Sequence, residues 1–158
     1  MRQMLQVELE RLNHKDVRQR RIAIRRLFEQ NDPAALSAFL EFLDSDDEWM
    51  PNKIYKQLSF LKKTNFKLQL VHTNEIWIKN GLLKNQKKKH LKKGGYIFEN
   101  CLDICRISPS SVLINKTLFE KFGLFDTKFK ICEDYELWLR LSSKIEIGYL
   151  NEPLIKKY

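Results

Sequence analysis

The sequence is poor in the residues that punctuate unusual architectures: five glycines and four prolines in 158 residues exclude collagen-like and low-complexity chains. No apolar run approaches the roughly 20 residues that a membrane-spanning helix requires. The first residues, Met1-Arg2-Gln3-Met4-Leu5-Gln6, hold no uninterrupted apolar stretch of the signal-peptide type, so the expected compartment is the cytoplasm. Cysteine is also scarce. Cys101, Cys105 and Cys132 are odd in number and lack zinc-finger or thioredoxin spacing, which reads as reduced thiols. With 43% apolar residues the chain can bury an ordinary core, so disorder throughout is excluded.

Negative charge is in deficit: 29 Lys and Arg against 20 Asp and Glu leave a net charge of +9. That excess points to an anionic partner without naming one. Much of it sits in one run from Lys84 to Lys93, and no aromatic residue lies between Lys79 and Tyr96. Nucleic-acid binding is therefore disfavoured, because aromatic platforms for bases are missing. The run reads as a solvated loop before it reads as a phosphate-contacting or membrane-surface patch.

Two textures follow one another along the chain. In residues 1–40, apolar residues recur at helical spacing (Leu5, Leu9, Leu12, then Val17, Ile22, Ile24, Leu27) with Arg18, Arg20, Arg21, Arg25 and Arg26 between them. This predicts amphipathic helices, and the segment resembles one HEAT-type hairpin. From Phe39 the pattern becomes α/β, with short apolar runs alternating with helices. Pro51 opens a helix through Lys63, with Ile54, Leu58 and Leu61 as its stripe and its lysines toward water. Leu68–Thr73 and Glu75–Ile78 read as two strands, Asn80-Gly81 as a turn, and Tyr96–Ile104 as a short helix. Ser111–Ile114 reads as a strand, Lys116–Phe122 as a helix stopped by Gly123, and Glu133–Ser142 as a further helix. Ile145–Leu150 is the last strand, closed by Asn151-Glu152-Pro153.

Two acidic clusters stand out. Leu43-Asp44-Ser45-Asp46-Asp47 places three carboxylates just beyond an apolar run, where open α/β sheets bind ligands. Such a cluster repels itself unless a hard divalent cation lies between its oxygens; the alternative is a solvated loop before the next helix. Glu133-Asp134 opens a helix, where the dipole favours ionised carboxylates. There the pair either caps the helix or offers a base for a hydroxyl proton.

Residues 42–158 resemble the second half of a family-2 glycosyltransferase domain of the GT-A fold. Four ordered motifs bear the resemblance: Phe42-Leu43-Asp44-Ser45-Asp46-Asp47-Glu48-Trp49 with Pro51 and Lys53, Ile107-Ser108-Pro109-Ser110-Ser111-Val112-Leu113-Ile114, Phe119 through Gly123-Leu124-Phe125-Asp126, and Glu133-Asp134-Tyr135-Glu136-Leu137-Trp138-Leu139-Arg140. The resemblance implies a partial GT-A sheet with flanking helices and an inverting, metal-dependent transfer of a sugar from a nucleotide-diphosphate donor to an acceptor hydroxyl. It implies Mg²⁺ or Mn²⁺ held by Asp46 and Asp44, donor contacts from Asp44, Asp46 and Asp47, and Asp134 as general base supported by Glu133. His72, Glu75, Trp138 and Arg140 become acceptor-side candidates, although His72 and Trp138 also suit interior positions. The expected partners are the donor and a glycan or lipid-linked acceptor, with peripheral association at a cytoplasmic membrane surface.

The family's nucleobase-gripping first half has no counterpart in residues 1–40, so the domains expected are that helical segment and a transferase-like half over 41–158. Glu41 conflicts with a buried parallel strand, where a carboxylate is costly, and a helix over Pro33–Leu43 would turn it to water. A non-catalytic remnant or helical interaction module is the competing expectation.

Overall fold

The computed structural model describes residues 38–158; the expected helical hairpin of residues 1–40 lies almost entirely outside them. Six strands form one mixed sheet: β1 (Phe39–Glu41), β2 (Asp47–Trp49), β3 (Leu70–Lys79), β4 (Leu82–Lys84), β5 (Leu113–Asn115) and β6 (Gly148–Lys157). Their order is β1-β5-β3-β6-β2, with β4 paired to β3 alone. Only the long central strands β3 and β6 pair in parallel; the other ladders are antiparallel. The α-helices among the described residues are α1 (Lys53–Lys63), α2 (Phe98–Cys101), α3 (Thr117–Phe122) and α4 (Glu133–Ser142).

Strand alternation divides the core between two faces. Leu70 and Ile114 enter one cluster with Leu118, Leu137, Trp138 and Leu141, which belong to α3 and α4. Their neighbours Val71 and Leu113 enter the other, with Ile54, Leu58 and Leu61 of α1. The sheet is thus covered on both sides, as the α/β pattern requires.

Several expectations change in detail. Of the two paths left open for this segment, strand or helix, Phe39–Glu41 takes the strand, which runs antiparallel to β5 as the outermost described strand. Glu41 is half-buried there with its Oε2 enclosed, and its charge acts on Lys53, so the carboxylate sits near a buried cation in an antiparallel strand and not alone in a buried parallel one. Lys53 itself does not face water. It is 1% exposed, donates from Nζ to the Val112 carbonyl at 3.4 Å and lies over the Trp49 ring at 4.6 Å. The expected pair of strands around Thr73 is the single strand β3, whose register against β6 shifts between Thr73 and Glu75. That irregularity lies opposite Pro153, which has no N–H to give the ladder. As a result β6 continues through Asn151-Glu152-Pro153 instead of stopping there. The helix expected over Tyr96–Ile104 contracts to Phe98–Cys101.

Candidate active site

The acidic loop joins β1 to β2 through a turn at Ser45-Asp46, closed by the Asp47 amide donating to the Asp44 carbonyl at 3.1 Å. Ser110, fully buried, holds both ends of this segment. Its hydroxyl accepts from the Asp44 amide at 3.0 Å, and its carbonyl accepts from the Trp49 indole at 2.9 Å. The Ser108–Ser111 turn is tied down in turn, because Gln57 of α1 donates to the Ser111 carbonyl at 2.8 Å and to the Val71 carbonyl at 3.2 Å. The Ser-Pro-Ser-Ser motif therefore positions the acidic loop on the sheet.

The three carboxylates of that loop differ. Asp46 is exposed and Asp44 half-buried, whereas the Asp47 side chain is 1% exposed and its Oδ2 lies 3.8 Å from Lys157 Nζ. Burial pushes the Asp47 carboxyl above its ordinary range, with Ser110 and Lys157 pulling the other way. The pairing follows from register: Asp47 faces Lys157 across the β2–β6 ladder, and Trp77 faces the same lysine across β3–β6.

Lys157 also lines a cleft of about 280 Å³ together with Asp134, Glu75, Trp77, Lys92 and Cys105. Asp134 reaches it from the first turn of α4, which Cys132 enters with φ 62°. Glu133 is exposed beside it. Opposite stands a nearly closed ion pair, Lys92 Nζ to Glu75 Oε2 at 3.1 Å, with side chains 4% and 5% exposed. Glu75 Oε1 accepts from the Trp77 indole at 2.7 Å, and Lys92 donates to the Arg106 carbonyl at 2.9 Å. Lys92 is thus a buried member of the run expected to be solvated. Gly94 lets the chain beyond it lie on β6, because a Cβ there would come within 2.8 Å of Tyr149 Cβ.

The remaining candidates do other work. Trp138 is 1% exposed in the core. His72 is fully buried, its Nε2 hydrogen-bonded to the Lys93 carbonyl at 2.8 Å. Arg140 pairs with Glu136 at 2.7 Å and donates to the carbonyls of Phe122, Gly123 and Leu124 at the end of α3. All three cysteines are free thiols. Cys105, in the cleft, is pushed up to about 12 by burial and then by the Asp134 charge, which leaves it protonated and unsuited to nucleophilic chemistry.

Among the described residues no three His, Cys, Asp or Glu side chains gather closely enough to cage an ion. The exposed Asp46 and half-buried Asp44 fit a different kind of site, in which a hard cation takes one or two carboxylates and completes its shell with phosphate oxygens and water. Sequence reasoning did not single out Lys157, Lys92, Trp77 or Ser110. Ser110 lay inside a quoted motif; the others were hidden because their positions depend on strand register and loop closure.

A model of the family described as "Glycosyltransferase like family 2" matches residues 29–152. The chain belongs to this family. An uncharacterized glycosyltransferase of Rickettsia conorii is 30% identical over 128 residues, which are 77% of this chain and 20% of that protein. The Escherichia coli UDP-Glc:alpha-D-GlcNAc-diphosphoundecaprenol beta-1,3-glucosyltransferase WfgD is 30% identical over 117 residues, 74% of this chain and 43% of that one. The chain thus spans less than half the length of either relative. Staphylococcus aureus TarS 1-349, solved in complex with UDP, shares the fold with a TM-score of 0.55 at 14% identity, over 85% of this chain and 38% of that one. The same protein in complex with UDP-GlcNAc gives a TM-score of 0.54 at 13% identity. The expected GT-A-type sheet with flanking helices is therefore the fold of this family-2 chain.

Proposed function

We propose that this family-2 chain supplies the cation-holding and base-bearing part of an inverting glycosyltransferase acting on a nucleotide-diphospho-sugar and a glycan or lipid-linked acceptor. The observation that supports it most is the convergence of two acidic motifs distant in sequence: Asp134 lines the cleft directly, and Asp47 borders it through Lys157. The likeness to a diphosphoundecaprenol-dependent glucosyltransferase and to a UDP-GlcNAc-binding fold supports the substrate classes.

In this reading the Asp134 carboxylate removes the proton of the acceptor hydroxyl. That oxygen forms the new bond to the anomeric carbon as the bond to the nucleotide diphosphate breaks, and the diphosphate leaves with the electron pair. A single displacement inverts the anomeric centre. Asp46 and Asp44 would hold Mg²⁺ or Mn²⁺, which when bound offsets the charge on the departing diphosphate. Lys157 adds a fixed positive charge at the same cleft, and Asp47 holds that charge in place. Glu75, steadied by Lys92 and Trp77, is the acceptor-side group that this geometry favours. The reaction is assigned to the cytoplasmic side of a membrane, where a lipid-linked acceptor is reached from the surface; no described helix is long and apolar enough to cross one.

Calorimetric titration of UDP- and GDP-sugars in the presence of Mn²⁺ tests the proposal. Donor binding should be lost on Asp46→Ala and kept by Asp134→Asn, whereas transfer should fall by about 10² to 10⁴ in Asp134→Asn. Transfer by Asp134→Asn at the parent rate would refute the base assignment.

A further inference from the structure

The tip of the β3–β4 hairpin extends past the β3–β6 ladder, which ends at Trp77 and Lys157, and β4 pairs with β3 alone. Asn80 and Gly81 both have positive φ, 53° and 75°, as the tight two-residue turn between strands demands. Beyond that turn Leu82 and Leu83 are 73% and 79% exposed. Consecutive strand residues point to opposite faces, so neither face of the ribbon is covered at its tip. Leu91, farther along the same excursion, is 54% exposed.

The charge around these leucines has one sign. From Lys79 to Lys93 the sequence contains seven lysines and no acidic residue, and six of the seven are exposed, Lys92 being the buried exception. Exposed leucines ringed by lysines cost hydration energy in water, and they complement a surface that is anionic at its boundary and apolar just beneath. A groove of about 530 Å³ runs at the base of the hairpin between Ile78, Lys84 and Tyr158, and it shares Trp77 and Lys157 with the Asp134 cleft.

We propose that the Lys79–Lys93 hairpin is a membrane-docking element: Leu82 and Leu83 enter the headgroup boundary of an anionic bilayer while the surrounding lysines engage its phosphates. Docking in this way sets the Asp134 cleft beside the bilayer, joined to it by the Trp77–Lys157 groove. The purpose of the docking rests on the lipid-linked acceptor proposed above, but vesicle binding can be measured without it.

The test is co-sedimentation of the full chain with vesicles of phosphatidylcholine alone and of phosphatidylcholine containing phosphatidylglycerol. The parent should partition onto the anionic vesicles only. Leu82→Ser with Leu83→Ser should weaken that partition by about tenfold or more, and each Lys→Gln change at Lys87, Lys88 and Lys89 by about fivefold. Absence of parent binding, or binding kept in full by the double leucine variant, would overturn the proposal. So would a parent that self-associates in solution through these leucines and ignores vesicles, since the tip would then meet a second copy. Transfer to a soluble acceptor should be unchanged in the leucine variant, which separates loss of docking from failure of the transferase reading.

Discussion

Asp47 and Lys157 face each other across an antiparallel ladder with Oδ2 and Nζ 3.8 Å apart, although 109 residues lie between them along the chain. The carboxylate is closed off from water and the ammonium is about one-third exposed. Replacing Lys157 by Met leaves the buried charge of Asp47 without its cation. Because the lysine is partly solvated, the expected loss is modest, about 1 kcal/mol in urea unfolding. Asp47→Asn combined with Lys157→Met should recover most of it, and additive losses would show that the two do not interact.

The Glu75–Lys92 pair is more deeply enclosed. Burial lowers the Lys92 ammonium from its ordinary range, and Glu75 acts to raise it again. Glu75→Gln strands a cation in the interior and should cost about 3 to 5 kcal/mol. Adding Lys92→Met should restore much of that stability, as thermal unfolding of the parent, the single variant and the double variant would reveal.

His72 gives the fold a pH dependence of definite sign. Burial, then the neighbouring Lys92 charge, depresses its imidazole to about 3, against an unfolded value near 6.5. Between those values the unfolded chain binds a proton that the folded chain refuses. The part of the stability that His72 controls should therefore be complete above about pH 6.5 and fall on acidification, with a limiting slope of about 1.4 kcal/mol per pH unit. Urea midpoints between pH 7 and 5 measure it, a range above the titration of ordinary carboxylates. His72→Gln should flatten the profile, and an unaltered slope would assign the effect to other groups.

Ser110→Ala removes the hydroxyl that accepts from the Asp44 amide at 3.0 Å. The loss should be about 1 to 3 kcal/mol. If the acidic loop binds the donor, affinity should fall with it; unchanged donor affinity in a destabilised variant would confine Ser110 to a structural role.

The parts of the fold that were legible in the sequence are those governed by local periodicity and backbone chemistry. Helix α4 occupies Glu133–Ser142 as its apolar spacing predicts, and Gly123 ends α3 with φ 89°. The Asn80-Gly81 turn stands where its dipeptide places it. Boundaries that depend on partners were less legible. Pro153 looks like a stop until the shifted register of β3 absorbs it, and Lys53 looks like a surface lysine until the Val112 carbonyl and the Trp49 ring enclose its end.

The same division runs through the site. The two acidic clusters, and the motifs tying them to family 2, are written in consecutive residues, so the identity of the candidate carboxylates is already legible in the linear chain. Which cation meets them was decided only by the sheet. Register across β2, β6 and β3 sets Lys157 between Asp47 and Trp77, and closure of a lysine-rich loop buries Lys92 against Glu75 while leaving its six neighbours in water. Local sequence fixes the direction and period of a side chain, but the partner it meets depends on which strands lie side by side and in what register.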